Sequence, residues 1–313
     1  MYPVSGRRTF LATTAASLLA PRSAIATATP SEFQQRLTGP ICYVPTPYRE
    51  DFSIDFAAIK RIVECGLASG VHVFAMTAGN SQYDRLTYPE IKELTAAIVK
   101  AVKGRGMVIA ATGAWWTGQC VDYARYAESI GADALQVLHP PFGTDDTLFE
   151  HYRKIAAATR AGLVLHGQVP LPLLKRLLTI DQVAAYKEEY PPMYSVEVFS
   201  LYKDRLNIFA GGQKSRYLMF EPYGMKAYYS TFSTFAPRVP QSFWQACQKG
   251  ERAAALAIVE KQDVPFFSRF SFSYWRATLE IFGMAERYLR PPEPTFTAAQ
   301  VAELRPFFKS LGL

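Results

Sequence analysis

Strand-length apolar runs alternate with stretches of helical pattern along most of this chain. A parallel sheet needs this alternation, because a helix must return the chain to the edge from which the next strand starts. Eight candidate strands can be counted, and eight strands suggest a closed barrel. They cover residues 41–46, 71–77, 107–112, 134–138, 163–166, 194–198, 207–210 and 225–231.

Helical signatures fill the intervals and continue after the eighth strand. Thr87 followed by Glu90 predicts a capping box at a helix start. Residues 241–283 carry a long helical pattern, and a last helix begins at about residue 298, with no linker long enough to separate a further domain. We therefore predict an α/β fold, a (β/α)8 TIM barrel over residues 29–240, with a C-terminal helical extension over 241–313 packed on the barrel.

The strand ends select the candidate site. In a (β/α)8 barrel the active site is built from the C-terminal ends of the strands and from the loops that follow them, while mid-strand residues fill the core. The residues that this rule selects are Thr46, Thr77, Asn80, Thr112, His139, His166, Glu197, Lys214 and Ser230.

The first 28 residues have the pattern of an export signal. Arg7 and Arg8 precede an apolar stretch over 11–20, and small residues follow at 24–28. We interpret residues 1–28 as a twin-arginine signal peptide cleaved after Ala26 or Ala28, the alternative being an amphipathic first helix of the domain. The apolar stretch is too short for a permanent anchor. We expect a periplasmic or secreted protein without membrane contact after cleavage.

Composition bears on partners and cofactors. The net charge of +7 comes from 34 basic and 27 acidic residues, and removing Arg7, Arg8 and Arg22 leaves 31 basic residues. So small an excess gives no reason to expect nucleic acid as a partner. The cysteines at positions 42, 65, 120 and 247 have no metal-site spacing, and we interpret them as buried thiols. We predict no cofactor.

Several short motifs occur in a characteristic order. They are Pro45-Thr46-Pro47-Tyr48, Ser53-Ile54-Asp55, Gly131-Ala132-Asp133-Ala134, Gly211-Gly212, Tyr274-Trp275, Leu289-Arg290-Pro291-Pro292 and Leu311-Gly312-Leu313. In order and spacing they resemble the family of dihydrodipicolinate synthase and N-acetylneuraminate lyase, over nearly all of the chain after the leader. The resemblance implies a barrel enzyme of the aldolase superfamily that acts on a small carbonyl or carboxylate compound, commonly as a homo-oligomer, a dimer or tetramer.

The same resemblance implies site residues from which this sequence departs. Usual members form an imine between pyruvate and a lysine at the end of the sixth strand, where the predicted strand 194–198 places Glu197. The proton-relaying tyrosine after the fifth strand is matched by His166, and the intersubunit tyrosine is matched by Phe142. Of the loop that holds the pyruvate carboxylate, Thr77 and the glycine turn remain. We therefore predict a site without a lysine amine and without imine chemistry.

Two classes of function follow from these departures. The first is a lyase or hydratase in which His166 and Glu197 carry acid–base chemistry; the alternative for this pair is a satisfied polar contact that only fills space. The second class is a non-catalytic protein that binds a keto acid or sugar acid. The residues that we expect to bind the small-molecule substrate are Thr46, Thr77, Gly79, Asn80, His139, Gly212 and Lys214.

Two further alternatives concern single residues. His139, with His166 and Glu197, would offer ligands for a divalent metal, but such a set on separate strands is a weak pattern, and the predicted site contains no metal. Lys214 could serve in place of the missing lysine; the alternative for Lys214 is an exposed position at the start of a helix.

Overall fold

The computed structural model describes residues 28–313, in which eight parallel strands close into a barrel. Strand order around the barrel follows the chain, and the eighth strand pairs with the first. The predicted (β/α)8 TIM barrel is therefore confirmed. The strands are β1 (Gly39–Tyr43), β2 (Val73–Ala75), β3 (Met107–Ala111), β4 (Ala134–Leu138), β5 (Gly162–His166), β6 (Val183–Glu188), β7 (Asn207–Ala210) and β8 (Ala227–Tyr229).

Helices surround the barrel and continue beyond it. The first eight are α1 (Pro30–Arg36), α2 (Phe56–Ala68), α3 (Tyr88–Val102), α4 (Thr117–Ser129), α5 (Asp145–Ala156), α6 (Leu171–Leu177), α7 (Pro192–Tyr202) and α8 (Lys214–Phe220). The C-terminal extension consists of α9 (Arg238–Gln248), α10 (Arg252–Ile258), a π-helical turn (Val259–Asp263), α11 (Val264–Phe267), α12 (Phe272–Ile281) and α13 (Ala298–Ser310). The capping box predicted at Thr87 is confirmed, because its hydroxyl and Glu90 cap α3 reciprocally.

The sixth strand does not lie where the sequence pattern placed it. Seven of the predicted strands overlap the observed ones, but β6 is Val183–Glu188, and residues 194–198 belong to α7. Pro192 occupies the first position of α7, where its missing N–H group costs nothing. The prediction of a strand over 194–198 was wrong, and the role given to Glu197 depended on it.

Alternation along the strands divides the core in two. Ile109, Val164 and Phe209 belong to the cluster inside the barrel. A second cluster packs between the strands and the helices. Because successive side chains of a strand point to opposite faces, β6 directs Lys187 into the barrel and Glu188 out toward the helices.

Helix α1 and the C-terminal extension both pack against the barrel. Phe33 of α1 is completely buried at the N-terminal end of the strands, and the Asn207 amide donates hydrogen bonds to the carbonyl groups of Gln34 and Leu37, at 2.9 and 2.8 Å. The C-terminal extension packs through aromatic rings around Phe266. No helix among residues 28–313 has the length and hydrophobicity of a membrane span. The proposed leader lies outside the described residues, except for Ala28.

Candidate active site

A buried lysine occupies the mouth of the barrel. Lys187 is the penultimate residue of β6, and only 5% of its surface is exposed. Its Nζ atom lies 3.0 Å from Nε2 of His166, the last residue of β5, and 5.4 Å from the centre of the Tyr229 ring. The prediction of a mouth without a lysine amine was therefore wrong.

Glu189, just beyond β6, contacts both of these groups. Its Oε1 atom accepts a hydrogen bond from Nζ of Lys187 and one from Nε2 of His166, each at 2.9 Å. One carboxylate thus faces an amine and an imidazole at the same point of the mouth. The sequence analysis did not select Glu189, because it assigned no strand to residues 183–188.

A chain of hydrogen bonds orients the imidazole from the other side. The Tyr229 hydroxyl donates to Oε1 of Gln136 at 3.0 Å, and Nε2 of Gln136 donates to Nδ1 of His166 at 3.2 Å. With Nδ1 as acceptor, the neutral ring carries its proton on Nε2 and donates it to Glu189. The three strands β4, β5 and β8 therefore fix the tautomer of His166.

The surroundings of Lys187 shift its own pKa and the pKa values of its two neighbours. Burial lowers the pKa of Lys187, while the charge of Glu189 opposes this shift. Burial and the charge of Lys187 also lower the pKa of His166. For Glu189, burial alone would raise the pKa, but the hydrogen bond from His166 and the charge of Lys187 lower it to about 2. A lowered pKa makes a lysine easier to deprotonate, and the unprotonated amine is the nucleophile.

Gly211 makes room for this cluster. A Cβ atom at this position would lie 2.7 Å from Oε2 of Glu189 and 2.9 Å from Cε of Lys187. The predicted site residue Gly212 is less constrained, since a Cβ there would approach only the side chain of Arg216, at 3.3 Å. Of the two glycines after β7, it is therefore mainly Gly211 whose missing side chain leaves space for Lys187 and Glu189.

Residues 77–82, here called the β2 turn, lie across the mouth, because β2 and β6 are opposite each other in the closed barrel. The hydroxyl of Thr77 accepts a hydrogen bond from the Asn80 N–H group at 3.1 Å and keeps its own proton to donate. Thr46 binds the same turn, through a 2.6 Å hydrogen bond to the carbonyl group of Ser81. Thr77 and Thr46 are buried, whereas Gly79 is exposed and Asn80 is half-buried.

The side chains of the remaining predicted site residues do not join the cluster of Lys187, His166 and Glu189. Glu197 is exposed on α7, and no contact joins it to His166. His139 follows β4, and its Nδ1 atom is 3.2 Å from the hydroxyl of Tyr152. Lys214 is completely buried, 2.5 Å from Oδ1 of Asp263, and not exposed at a helix start. Phe142 is 71% exposed.

The three residues considered as metal ligands, His139, His166 and Glu197, do not come together. Glu197 does not face the two histidines with which it was grouped, and no cluster of three or more metal-ligating side chains occurs within residues 28–313. The four cysteines are free thiols, with Cys42 and Cys120 buried and Cys65 and Cys247 half-buried.

The comparison with protein families agrees with this geometry. The model of the dihydrodipicolinate synthetase family matches residues 36–310. The chain belongs to this family. Among its relatives, a protein of Streptomyces avermitilis named probable 5-dehydro-4-deoxyglucarate dehydratase 2 is 27% identical over 282 residues, which is 85% of each chain. The 4-hydroxy-tetrahydrodipicolinate synthase of a Chelativorans strain is 26% identical, over 88% of this chain and 98% of its own.

Solved structures of the family share the fold. Dihydrodipicolinate synthase from Oceanobacillus iheyensis superposes with a TM-score of 0.80 at 21% identity, over 90% of this chain and 99% of its own. YagE, a prophage protein of the dihydrodipicolinic acid synthase family from E. coli K12 solved in complex with pyruvate, gives a TM-score of 0.79 at 17% identity, over 88% of this chain and 99% of its own. Membership of the dihydrodipicolinate synthetase family, with dehydratase and synthase relatives, supports an aldolase-like lyase.

Proposed function

We propose that this protein is a lyase that binds a small 2-oxo acid as an imine on Lys187. The observation that carries the proposal is the buried Nζ atom of Lys187, 3.0 Å from Nε2 of His166 at the C-terminal mouth of the barrel. Members of this family are expected to hold such a lysine at the end of the sixth strand, and the observed β6 places Lys187 there.

The chemistry follows from these two side chains. The neutral amine adds to the carbonyl carbon of the 2-oxo acid, water leaves, and the protonated imine withdraws electrons from the neighbouring carbon. A proton then leaves that carbon. His166 is close enough to Nζ to accept it at Nε2 once the proton already on that atom has passed to Glu189, and to return it to the leaving group. The enamine then either expels a hydroxyl group from the next carbon, as in a dehydratase, or attacks the carbonyl carbon of a second substrate, as in a synthase, and both kinds of enzyme occur among the relatives.

The β2 turn is our candidate for the substrate carboxylate. Thr77 is buried, its hydroxyl proton is available, and it lies across the mouth from Lys187. Thr46 fixes the same turn from β1. A 2-oxo acid would then be held at its carboxylate by the β2 turn and at its carbonyl carbon by Lys187.

Reduction of the imine tests the proposal. Incubation with pyruvate and borohydride should attach one reduced pyruvyl group, and peptide mapping should locate it on Lys187. A Lys187→Met variant should remain unmodified, whereas Glu197→Gln should be modified like the parent because Glu197 is exposed on α7. If neither pyruvate nor larger 2-oxo acids are trapped on Lys187, the proposal is wrong.

A second measurement separates catalysis from binding. Exchange of the methyl hydrogens of pyruvate in heavy water reports enamine formation without any knowledge of the second substrate. Trapping together with exchange supports the lyase. Trapping without exchange would favour the alternative of a non-catalytic protein that binds keto acids.

We also propose export and self-association. Arg7, Arg8 and the apolar stretch over 11–20 support a twin-arginine signal and a periplasmic or secreted location. The substrate is a small molecule, and a homo-oligomer, dimer or tetramer, is proposed from the resemblance to the family. Fractionation of the native host and sedimentation analysis of the purified protein test these two points.

A further inference from the structure

Helix α12 places a completely buried arginine beside the β2 turn. Nη2 of Arg276 donates a 3.1 Å hydrogen bond to Oε1 of Gln82, and the guanidinium lies 4.9 Å from the centre of the Trp275 ring. A guanidinium keeps its proton at any ordinary pH, and burial lowers the pKa of Arg276 only to about 10. A full positive charge is therefore enclosed in the protein.

The groups around this charge lack hydrogen-bond partners, and most of them can only donate. Within residues 28–313, Nε and Nη1 of Arg276, Nε2 of Gln82 and the hydroxyl of Tyr48 have no hydrogen-bond partner, and all three residues are buried. Tyr48 is close enough to Arg276 for each to affect the ionisation of the other. Buried polar groups are normally hydrogen-bonded, so several missing partners in one place indicate something that accepts.

The neighbouring carboxylates do not supply that acceptor. Oε2 of Glu293 accepts a hydrogen bond from Arg85 at 2.9 Å, and both oxygens of Glu90 accept from Arg290, at 2.6 and 3.0 Å. Arg290 also lies over the Tyr48 ring, 4.9 Å from its centre. Tyr48 is therefore close to two arginines, and the nearby glutamates already accept hydrogen bonds from other arginine side chains.

The backbone of Gln82 is held in an unusual conformation. Its φ and ψ angles of 53° and 51° fall in the left-handed region. Residues other than glycine adopt this backbone conformation only when their surroundings require it. This conformation keeps the side chain of Gln82 against Arg276 at the end of the β2 turn.

We propose that Arg276, Gln82 and Tyr48 enclose a binding site for one small monovalent anion of the size of chloride. Nε and Nη1 of Arg276 and Nε2 of Gln82 can only donate, and a neutral water molecule would leave the buried charge of Arg276 without a counter-ion. An anion accepts from all of them and compensates the buried charge. The site lies outside the contacts of Lys187 and His166, so it does not depend on the proposed imine chemistry.

Crystals soaked in bromide provide the direct test. An anomalous peak within hydrogen-bond distance of Arg276 is expected. Density for water alone at this position, with no anomalous peak, overturns the proposal.

Thermal unfolding provides a second test that needs no crystal. At constant ionic strength, replacing gluconate by chloride should raise the Tm by about 3 °C once chloride reaches about ten times its Kd. An Arg276→Met variant should lose this dependence, and Arg153→Met, at an exposed arginine, should keep it. If Arg276→Met does not fold, the parent protein alone still tests the proposal. A parent Tm that is the same in chloride and in gluconate would contradict an anion site.

Discussion

Nε2 of His166 lies 3.0 Å from Nζ of Lys187, so that an imidazole and an amine meet at one point of the barrel mouth. Two such groups cannot both be protonated there without mutual repulsion, and each lowers the affinity of the other for protons. The Glu189 carboxylate moderates this repulsion.

Replacing Glu189 by glutamine should move the pH dependence of imine formation to lower pH. The negative charge of Glu189 raises the pKa of Lys187 and that of His166. Without it the ammonium form of Lys187 is less stable, so the amine becomes neutral at lower pH, by about one to three pH units. The rate of trapping with pyruvate as a function of pH measures the midpoint. A midpoint that stays in place or rises would show that Glu189 does not control the amine.

Replacing Gln136 by leucine should impair proton transfer while leaving imine formation intact. The variant loses the hydrogen bond to Nδ1 of His166, so the ring is no longer held in one tautomer. We expect exchange of the pyruvate methyl hydrogens to slow by roughly 10-fold, which equals about 1.4 kcal/mol. Tyr229→Phe removes the hydrogen bond that Tyr229 donates to Gln136, one step further from His166, and should show a smaller effect. Equal losses of trapping and exchange would instead indicate general disruption of the site.

An alanine at position 211 should hinder the lysine. Its Cβ atom would lie 2.9 Å from Cε of Lys187, and Lys187 or Glu189 must then move. A displacement of this kind should slow trapping by roughly 10- to 100-fold. Gly212→Ala is the matched control, because its Cβ approaches only Arg216. Identical trapping rates in the two variants would contradict the packing described for Gly211.

Breaking the buried ion pair between Lys214 and Asp263 should destabilise the fold. Lys214→Met alone leaves the Asp263 carboxylate buried without its partner, at a cost of about 3–5 kcal/mol in the free energy of unfolding. Adding Asp263→Leu should recover most of this loss, because the apolar pair needs no compensation. Denaturant unfolding of the single and double variants checks this. Additive losses would contradict a direct coupling.

If the leader is removed as proposed, cleavage after Ala26 should prevail over cleavage after Ala28. Ala28 is buried at the start of the described chain, within the cluster that includes Phe33. Cleavage after Ala28 would remove this contact from the mature protein. Mass spectrometry of the exported protein should therefore give Thr27 as the first residue. A mature chain that begins at Thr29, or that retains Met1, contradicts the prediction.

The sequence predicts the barrel well because most strands differ clearly from their flanking helices. Runs such as Met107–Ala111 and Asn207–Ala210 are apolar, short and bounded by turn residues, as buried parallel strands usually are. The helix starts at Thr87 and near residue 298 are equally clear, since side-chain caps define them locally.

The sixth strand was mispredicted for a physical reason. Residues 183–188 contain two alanines, a lysine and a glutamate, all of which favour helices in isolation, whereas 194–198 alternate in the way of a strand. Pairing with β5 and β7 overrides the first preference, and the proline start of α7 overrides the second. Spacing could have revealed the error. A strand ending at 198 leaves only residues 199–206 before β7, too few for a parallel crossover of a dozen or more residues.

The same strand error determined which residues of the candidate site could be predicted. Thr77 follows β2 and His166 ends β5, and both strands were predicted correctly, so both residues were found at the mouth. Lys187 and Glu189 were missed with β6. Gln136 and Tyr229 lie within or at the end of correctly predicted strands, but their hydrogen bonds to one another and to His166 join β4, β5 and β8, and no local pattern reports such contacts.

The side chains that contact the His166 ring are Gln136, Lys187 and Glu189, from β4, β6 and the residue just beyond β6. The acid–base chemistry proposed above uses these residues of one barrel and none from a second. Hybrid assemblies of intact and Lys187→Met protomers should therefore exchange the pyruvate methyl hydrogens at a constant rate per intact protomer at every mixing ratio. A rate per intact protomer that changes with the ratio would show that a neighbouring subunit completes the site.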